Sequence, residues 1–272
     1  MTFLVLALIG LLVGLTTVLF GFGGGFVTVP IVAVADASMG GDAVRVATAT
    51  SALVMLVNAA VATASTRRDV LGRLRGRAGL FVLLVVGGAL GAEAARFAPD
   101  GLIRWGFVVY VGATVVDLLV RPGFLRSDTR PVVPRSDTRP TRQAPDGAGV
   151  RTVLGLPIGA VAAFLGVGGS VMTVPVMRRA GASMPVATAL ANPLTLAIAA
   201  PAVLVTLLAH GTVPAAPGLV GAVDVLAAAA LLIGAMPVIV VLRRRPPRIP
   251  EAVHAWGYVL LLGAAGVAVA VG

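Results

Sequence analysis

The chain of 272 residues is 58% hydrophobic and only 12% charged, with a mean hydropathy of +1.01. A soluble domain cannot bury that much apolar material, so the composition is that of a polytopic membrane protein. The net charge of +10 would suit nucleic acid, but the arginines lie between apolar spans, without interleaved aromatics or a soluble domain, which excludes that partner.

Residues 2–20 are apolar from the start, with no basic leader and no clear cleavage site, and are read as a retained first helix. Gly21-Phe22-Gly23-Gly24-Gly25 interrupts it, and 26–37 then forms a helix too short to cross comfortably. Pro30 falls in that helix's first two turns, where a missing N–H costs least. A polar turn follows at 36–42. Spans at 44–64, 80–95 and 102–120 complete a first repeat of residues 1–120. The basic loop at 67–77 separates the first two spans, and a turn with Arg96, Pro99 and Asp100 separates the next. Residues 121–151, rich in Pro, Arg, Asp and Thr, cannot bury enough apolar surface to order themselves and are read as a flexible linker. A second repeat, 152–272, follows the same plan: an apolar segment at 152–165, a glycine break, a short helix at 171–180, and spans at 183–208, 217–242 and 252–271.

The break is the feature the two repeats share most clearly. Gly21 to Pro30 reads G-x-G-G-G-x-x-T-V-P, and Gly166 to Pro175, 145 residues later, reads G-x-G-G-S-x-x-T-V-P. A second correspondence is the V-A-T-A core shared by 46–49 and 186–189. Placing the basic loops in the cytoplasm puts 18 of the 21 arginines on one side, leaving Arg45, Arg96 and Arg104. The span at 44–64 then runs outside to inside and its counterpart at 183–208 runs inside to outside; the remaining pairs are opposed as well. The expected fold is an all-α polytopic helical bundle of two inverted-topology repeats, each a glycine-broken helical hairpin plus three spans. It sits in the cell membrane with the linker cytoplasmic and both termini outside.

Inverted repeats with broken helices are transporter architecture. Each break frees backbone N–H groups at the start of a short helix, and such N-termini bind anions. Hydroxyls and amides that would complete a site follow each motif: Thr48, Thr50 and Ser51 in the first half, Thr188 and Asn192 in the second. The competing reading is that small residues there serve close helix packing. Asp224, expected a third of the way into its helix, is either a proton acceptor coupled to anion movement or a structural carboxylate with a partner. Asp117 with Arg121, and Glu93 with Arg96, read as interfacial pairs. Asn58 serves a helix–helix hydrogen bond or a ligand, and His210 reads as an interface residue. The absence of cysteine removes disulfides, thiolate metal sites and thiol catalysis. With no paired histidines, no H-E-x-x-H and no carboxylate pair on one face, neither an enzyme nor a bound cofactor or metal is expected.

The paired G-x-G-G-[GS]-x-x-x-x-P motifs, each followed by a small, Thr-containing helix start, resemble the TauE/SafE sulfite exporter family over both hydrophobic halves. The resemblance implies a multi-pass transporter of a small anion such as sulfite, sulfoacetate or a related organosulfur anion, working by alternating access. An anion channel and a structural membrane subunit are the alternatives. By position it assigns Gly21, Gly23, Gly24, Gly25 and Pro30, with Gly166, Gly168, Gly169, Ser170 and Pro175, to the substrate framework. Thr50 and Ser51 match the family's hydroxyl step. Leu190 and Ala191 stand there in the second half, which passes that role to Thr188 or Asn192.

Overall fold

The computed structural model describes residues 3–35, 43–125, 150–208 and 218–271. The expected polar turn at 36–42, most of the linker and His210 lie outside these residues. In the first half, α1 (Phe3–Phe20) stops at the glycine break and α2 (Gly25–Ala35) restarts after it; α3 (Ala43–Ala64), a short α4 (Arg68–Leu71), α5 (Ala78–Phe97) and α6 (Asp100–Val120) follow. The second half has α7 (Gly155–Phe164) before its break, then α8 (Ser170–Arg179), α9 (Met184–Leu208), α10 (Val225–Arg244) and α11 (Glu251–Val271). Seven of these, α1, α3, α5, α6, α9, α10 and α11, are long and apolar enough to cross a membrane. The fold is therefore an all-α polytopic one.

Burial separates inner from lipid-facing helices. About two thirds of the α3 span and 61% of α9 are buried, against 22% of α6, so α3 and α9 form the centre and α6 lies at the flank. The apolar outer faces, with Trp105 and Val109 on α6 and Trp256 and Leu260 on α11, are exposed, as lipid contact requires.

Two close crossings fix the frame, and glycine makes both. Gly10 and Gly14 of α1 lie on the backbone of α10 at Leu231 and Ala235, while Gly155 and Gly159 of α7 lie on α5 at Leu80 and Leu84. These four glycines repeat with the same 145-residue spacing as the motif. A methyl added at Gly14 would stand 2.5 Å from the Ala235 carbonyl oxygen, and one at Gly159 would stand 2.5 Å from that of Leu84. Contacts advance in the same sense along both partners, so each of these pairs is parallel. α6 and α11 are antiparallel: Arg104, in the second turn of α6, donates to the carbonyls of Val269 and Ala270 at the end of α11, at 3.1 and 2.9 Å.

The structure revises two boundaries. The span expected at 217–242 begins at Val225, because 219–224 form a small antiparallel hairpin, β1 (Leu219–Val220) with β2 (Val223–Asp224). Gly221, with φ +61°, allows its tight turn. The start of the supposed linker is packed: Phe124 is fully buried and its carbonyl accepts from Arg178 at 3.2 Å. Phe124, with Leu125 beside it, is thus packed on the helices although composition alone assigned both to the linker.

Candidate functional site at the two glycine breaks

Each break is a helix stop followed by a helix start. Gly166, at φ +67°, ends α7 with a paired closure in which its N–H donates to Ala163 and that of Val167 to Ala162. α8 opens when Met172 and Thr173 donate to the Gly169 carbonyl. In the first half, Gly21 (φ +75°) donates to Thr17, and α2 opens with Val27 and Thr28 donating to Gly24. Gly23, Gly24 and Gly168 are also left-handed, a region that costs other residues roughly 1–2 kcal/mol. Gly169 is not: its φ is −76°, and it caps α8 in ordinary helical geometry.

The breaks meet at the centre of the protein. The Ser51 hydroxyl lies 3.0 Å from the carbonyl oxygen of Gly166 and 3.3 Å from that of Gly25, bridging the two motifs. Each motif also rests on the other half's central helix. A methyl at Gly21 would lie 2.8 Å from the Thr188 carbonyl oxygen on α9; one at Gly166 would lie 2.9 Å from Thr48 Cγ2 on α3. Gly23 and Gly168 both face Thr195 and Met55. All these glycines are buried.

Around this junction the interior is polar. Both amide atoms of Asn58, the hydroxyls of Ser170, Thr173 and Thr195, and Asn192 Oδ1 are buried without a hydrogen-bond partner among the described residues. A buried polar atom left unpaired costs about 1–3 kcal/mol, so a group of them calls for a physical reason. Asn58 Nδ2 stands 2.8 Å from where a Gly24 methyl would be, beside the N-terminus of α2. An aromatic wall closes the other side: Phe22 stacks on Phe26 at 5.0 Å and meets Tyr258 at 4.9 Å, and Tyr258 donates its hydroxyl to the Ser170 carbonyl at 3.1 Å.

Two cavities approach the junction from opposite ends of α3. The smaller, about 40 Å³, opens at the start of α3 and the end of α9 and includes Arg45, Thr48, Ala49, Arg96 and Thr206. The larger, about 210 Å³, opens at the end of α3 and the start of α9 and includes Thr66, Thr188, Ala189, Arg243 and His254. Thr48 and Ala49 correspond to Thr188 and Ala189 in the repeated V-A-T-A core, so each cavity ends on the same element of one half. α3 and α9 thus run antiparallel.

Of the candidates expected from sequence, Gly21, Gly23, Gly24, Gly25, Gly166, Gly168, Gly169, Ser170 and Ser51 come together at the junction. Thr48, Thr188 and Asn192 lie beside it, with Asn192 Nδ2 donating to the Thr188 carbonyl at 2.9 Å. Pro30 and Pro175 each lie inside the short helix after a break. Two candidates go elsewhere. Thr50 accepts the Asp224 N–H at 2.9 Å and so anchors the hairpin; its position on α3 turns it away from Thr48 and Ser51. Asp224 stands at the N-terminus of α10 and not inside a span, its carboxylate capping the helix by accepting from Ala227 N–H at 2.9 Å. The interfacial pairs are present, Glu93 with Arg96 at 2.9 Å and Asp117 with Arg121 at 3.1 Å, and Asp117 also takes Arg179 at 2.6 Å. Met55, Thr195 and the Phe22, Phe26 and Tyr258 wall were missed. A helical count from Ser51 reaches Met55 and Asn58, so that face was readable; the aromatics sat unused within and beyond the motif.

No curated protein and no solved structure matches this chain. The family model described as Sulfite exporter TauE/SafE matches residues 6–269, both hydrophobic halves and the segment between them. With seven helices long and apolar enough to cross, the chain belongs to the TauE/SafE family of multi-pass membrane transporters.

Proposed function

We propose that the protein is a secondary transporter of a small oxyanion of the sulfite class, working by alternating access of two inverted repeats about the paired glycine breaks. The observation that carries this reading is the junction itself. Two short helices begin there, from different halves, beside a hydroxyl that bridges both breaks and a set of buried, unpartnered polar atoms. Helix N-termini supply partial positive charge and N–H donors without an intramembrane cation.

Inversion is supported by the directions of packing: α3 opposes α9, α6 opposes α11, and the parallel α1–α10 pair corresponds to the parallel α7–α5 pair when the halves are exchanged. With the arginine-rich side in the cytoplasm, the larger cavity faces inward and the smaller outward. The buried junction between them favours alternation over an open channel. Export of an anion from a negative-inside cell would gain about 2.3 kcal/mol per charge per 100 mV.

Flux of labelled sulfite, sulfoacetate and simple carboxylates into proteoliposomes tests the proposal. Saturable sulfite uptake is expected. Uptake that is absent for every anion, or that rises without saturation, contradicts it.

A further inference from the structure

The larger cavity holds a cation that the junction does not use. Arg243, in the last turn of α10, is half-buried, and its Nε and Nη2 atoms are buried without a hydrogen-bond partner among the described residues. The ion pairs among the described residues engage Arg67, Arg96, Arg121, Arg178 and Arg179, but not Arg243. Among the described residues, no carboxylate lines this cavity. Position at a helix C-terminus favours an arginine there, but an interfacial arginine normally carries its head to water, and here part of the guanidinium stays inside.

The cavity at the opposite end of α3 differs in both respects. It is about 40 Å³, and its Arg96 is held by both Glu93 oxygens at 2.9 Å. Of these two cavities, the larger combines about 210 Å³ of space with an arginine fork that no carboxylate among the described residues takes. That volume exceeds a single water's share of about 30 Å³ several times over, enough for a small oxyanion with part of its hydration. Guanidinium matches such an ion through paired N–H donors.

We propose that this cavity is a second anion site, in which the Arg243 guanidinium takes a small oxyanion and holds it one step short of the glycine junction, behind Thr188. The staging role rests on the transport reading above; the binding itself does not. The same chemistry would recognise a free oxyanion or the phosphate of a lipid headgroup, and the test separates them.

Purified full-length protein in detergent is treated with 2,3-butanedione, an arginine reagent, and modification at each arginine is followed by peptide mass spectrometry. Sodium sulfate is the probe, sodium chloride at equal ionic strength the control, and dioctanoyl phosphatidylglycerol the lipid arm. Sulfate is expected to slow modification of Arg243 at least fivefold and to leave the loop residue Arg75 unchanged. An Arg243 rate equal in sulfate and chloride overturns the proposal, as does protection by the lipid alone. Failure of the reagent to reach Arg243 contradicts it equally, since a cavity open to an oxyanion admits a four-carbon diketone. The readout uses wild-type protein and no flux. Loss of all saturable flux would overturn the transport reading only, whereas an unprotected Arg243 with normal flux would overturn only this site.

Discussion

At the scale of single residues, the two motifs are less alike than their letters. Gly24 is left-handed, and a methyl there would meet Val13 Cγ1 at 2.5 Å and Asn58 at 2.8 Å. Gly169 is right-handed, and the nearest obstacle is the mobile end of Ile198. Gly24→Ala is therefore expected to cost about 3 kcal/mol, from backbone strain plus overpacking, while Gly169→Ala costs less than about 1 kcal/mol. Thermal unfolding midpoints in detergent compare them; equal losses would mean that the breaks are interchangeable packing devices. Ser51→Ala removes the bridge between the motifs and is expected to cost about 1 kcal/mol in stability and most of the sulfite flux. Asp224 offers a contrasting case. Asp224→Asn keeps a capping acceptor and should leave midpoint and flux near wild type, whereas Asp224→Ala loses about 1 kcal/mol. A normal midpoint with lost flux in the Asn variant would return the carboxylate to proton coupling.

The glycine positions were legible at this scale because few other reasons place four glycines and a proline in an apolar run and then repeat the pattern with three. The side-chain assignments were less so. Thr48, Thr50 and Ser51 look equivalent in a string, but on α3 only Thr48 and Ser51 share a face with Asn58, and Thr50 turns to the hairpin. Asp224 carried a usable signal, an N-cap residue type directly before an apolar run, which the strength of the hydrophobic pattern on both sides of it obscured.

At the scale of elements, the frame depends on helices touching backbone to backbone. Such approach is how membrane helices associate when lipid is as apolar as their side chains. Gly159→Leu would drive α7 off α5 and is expected to abolish monodisperse folded protein on size exclusion. Gly112→Leu, on α6 with nothing within 4 Å of the added atom, is the control and should be tolerated. If both fold alike, the close crossings are incidental. Away from the crossings, Arg178 fixes the end of α8, bonding Glu251 at 2.9 Å and the carbonyls of Phe124 and Ala182 at 3.2 Å. Arg178→Gln strands Glu251 and is expected to cost about 2–4 kcal/mol, visible as a lowered unfolding midpoint. None of these contacts was legible in the sequence. Gly10, Gly14, Gly155 and Gly159 repeat with the motif's own spacing, but the partner helix of each lies in the other half. A hydropathy pattern holds no record of who packs on whom.

At the scale of the whole molecule, the exchange of halves relates features far apart in sequence. The glycine breaks exchange, the cavities exchange, and Trp105 and Trp256 stand at the sixth residue of α6 and of α11, both exposed. In the antiparallel α6 and α11 these indoles stand toward opposite ends of the bundle, as the proposed inversion requires of interfacial anchors. The proposed inversion rests in the sequence on the distribution of arginines, because charge reports sidedness and sidedness fixes helix direction. The unequal cavities were not readable, since they depend on how far the helix ends have parted.

The central claim is that these two cavities open in turn. The chain contains no cysteine, so single reporters can be placed without background. Ala49→Cys and Ala189→Cys put equivalent thiols in the smaller and the larger cavity. The measurement is their labelling by a membrane-impermeant maleimide, added to one side of sealed proteoliposomes at a time, with and without sulfite. The account predicts that each thiol is reached from one side only, that the sides are opposite, and that sulfite changes the two rates in opposite directions. Labelling of both from the same side, or rates that rise and fall together, would contradict it.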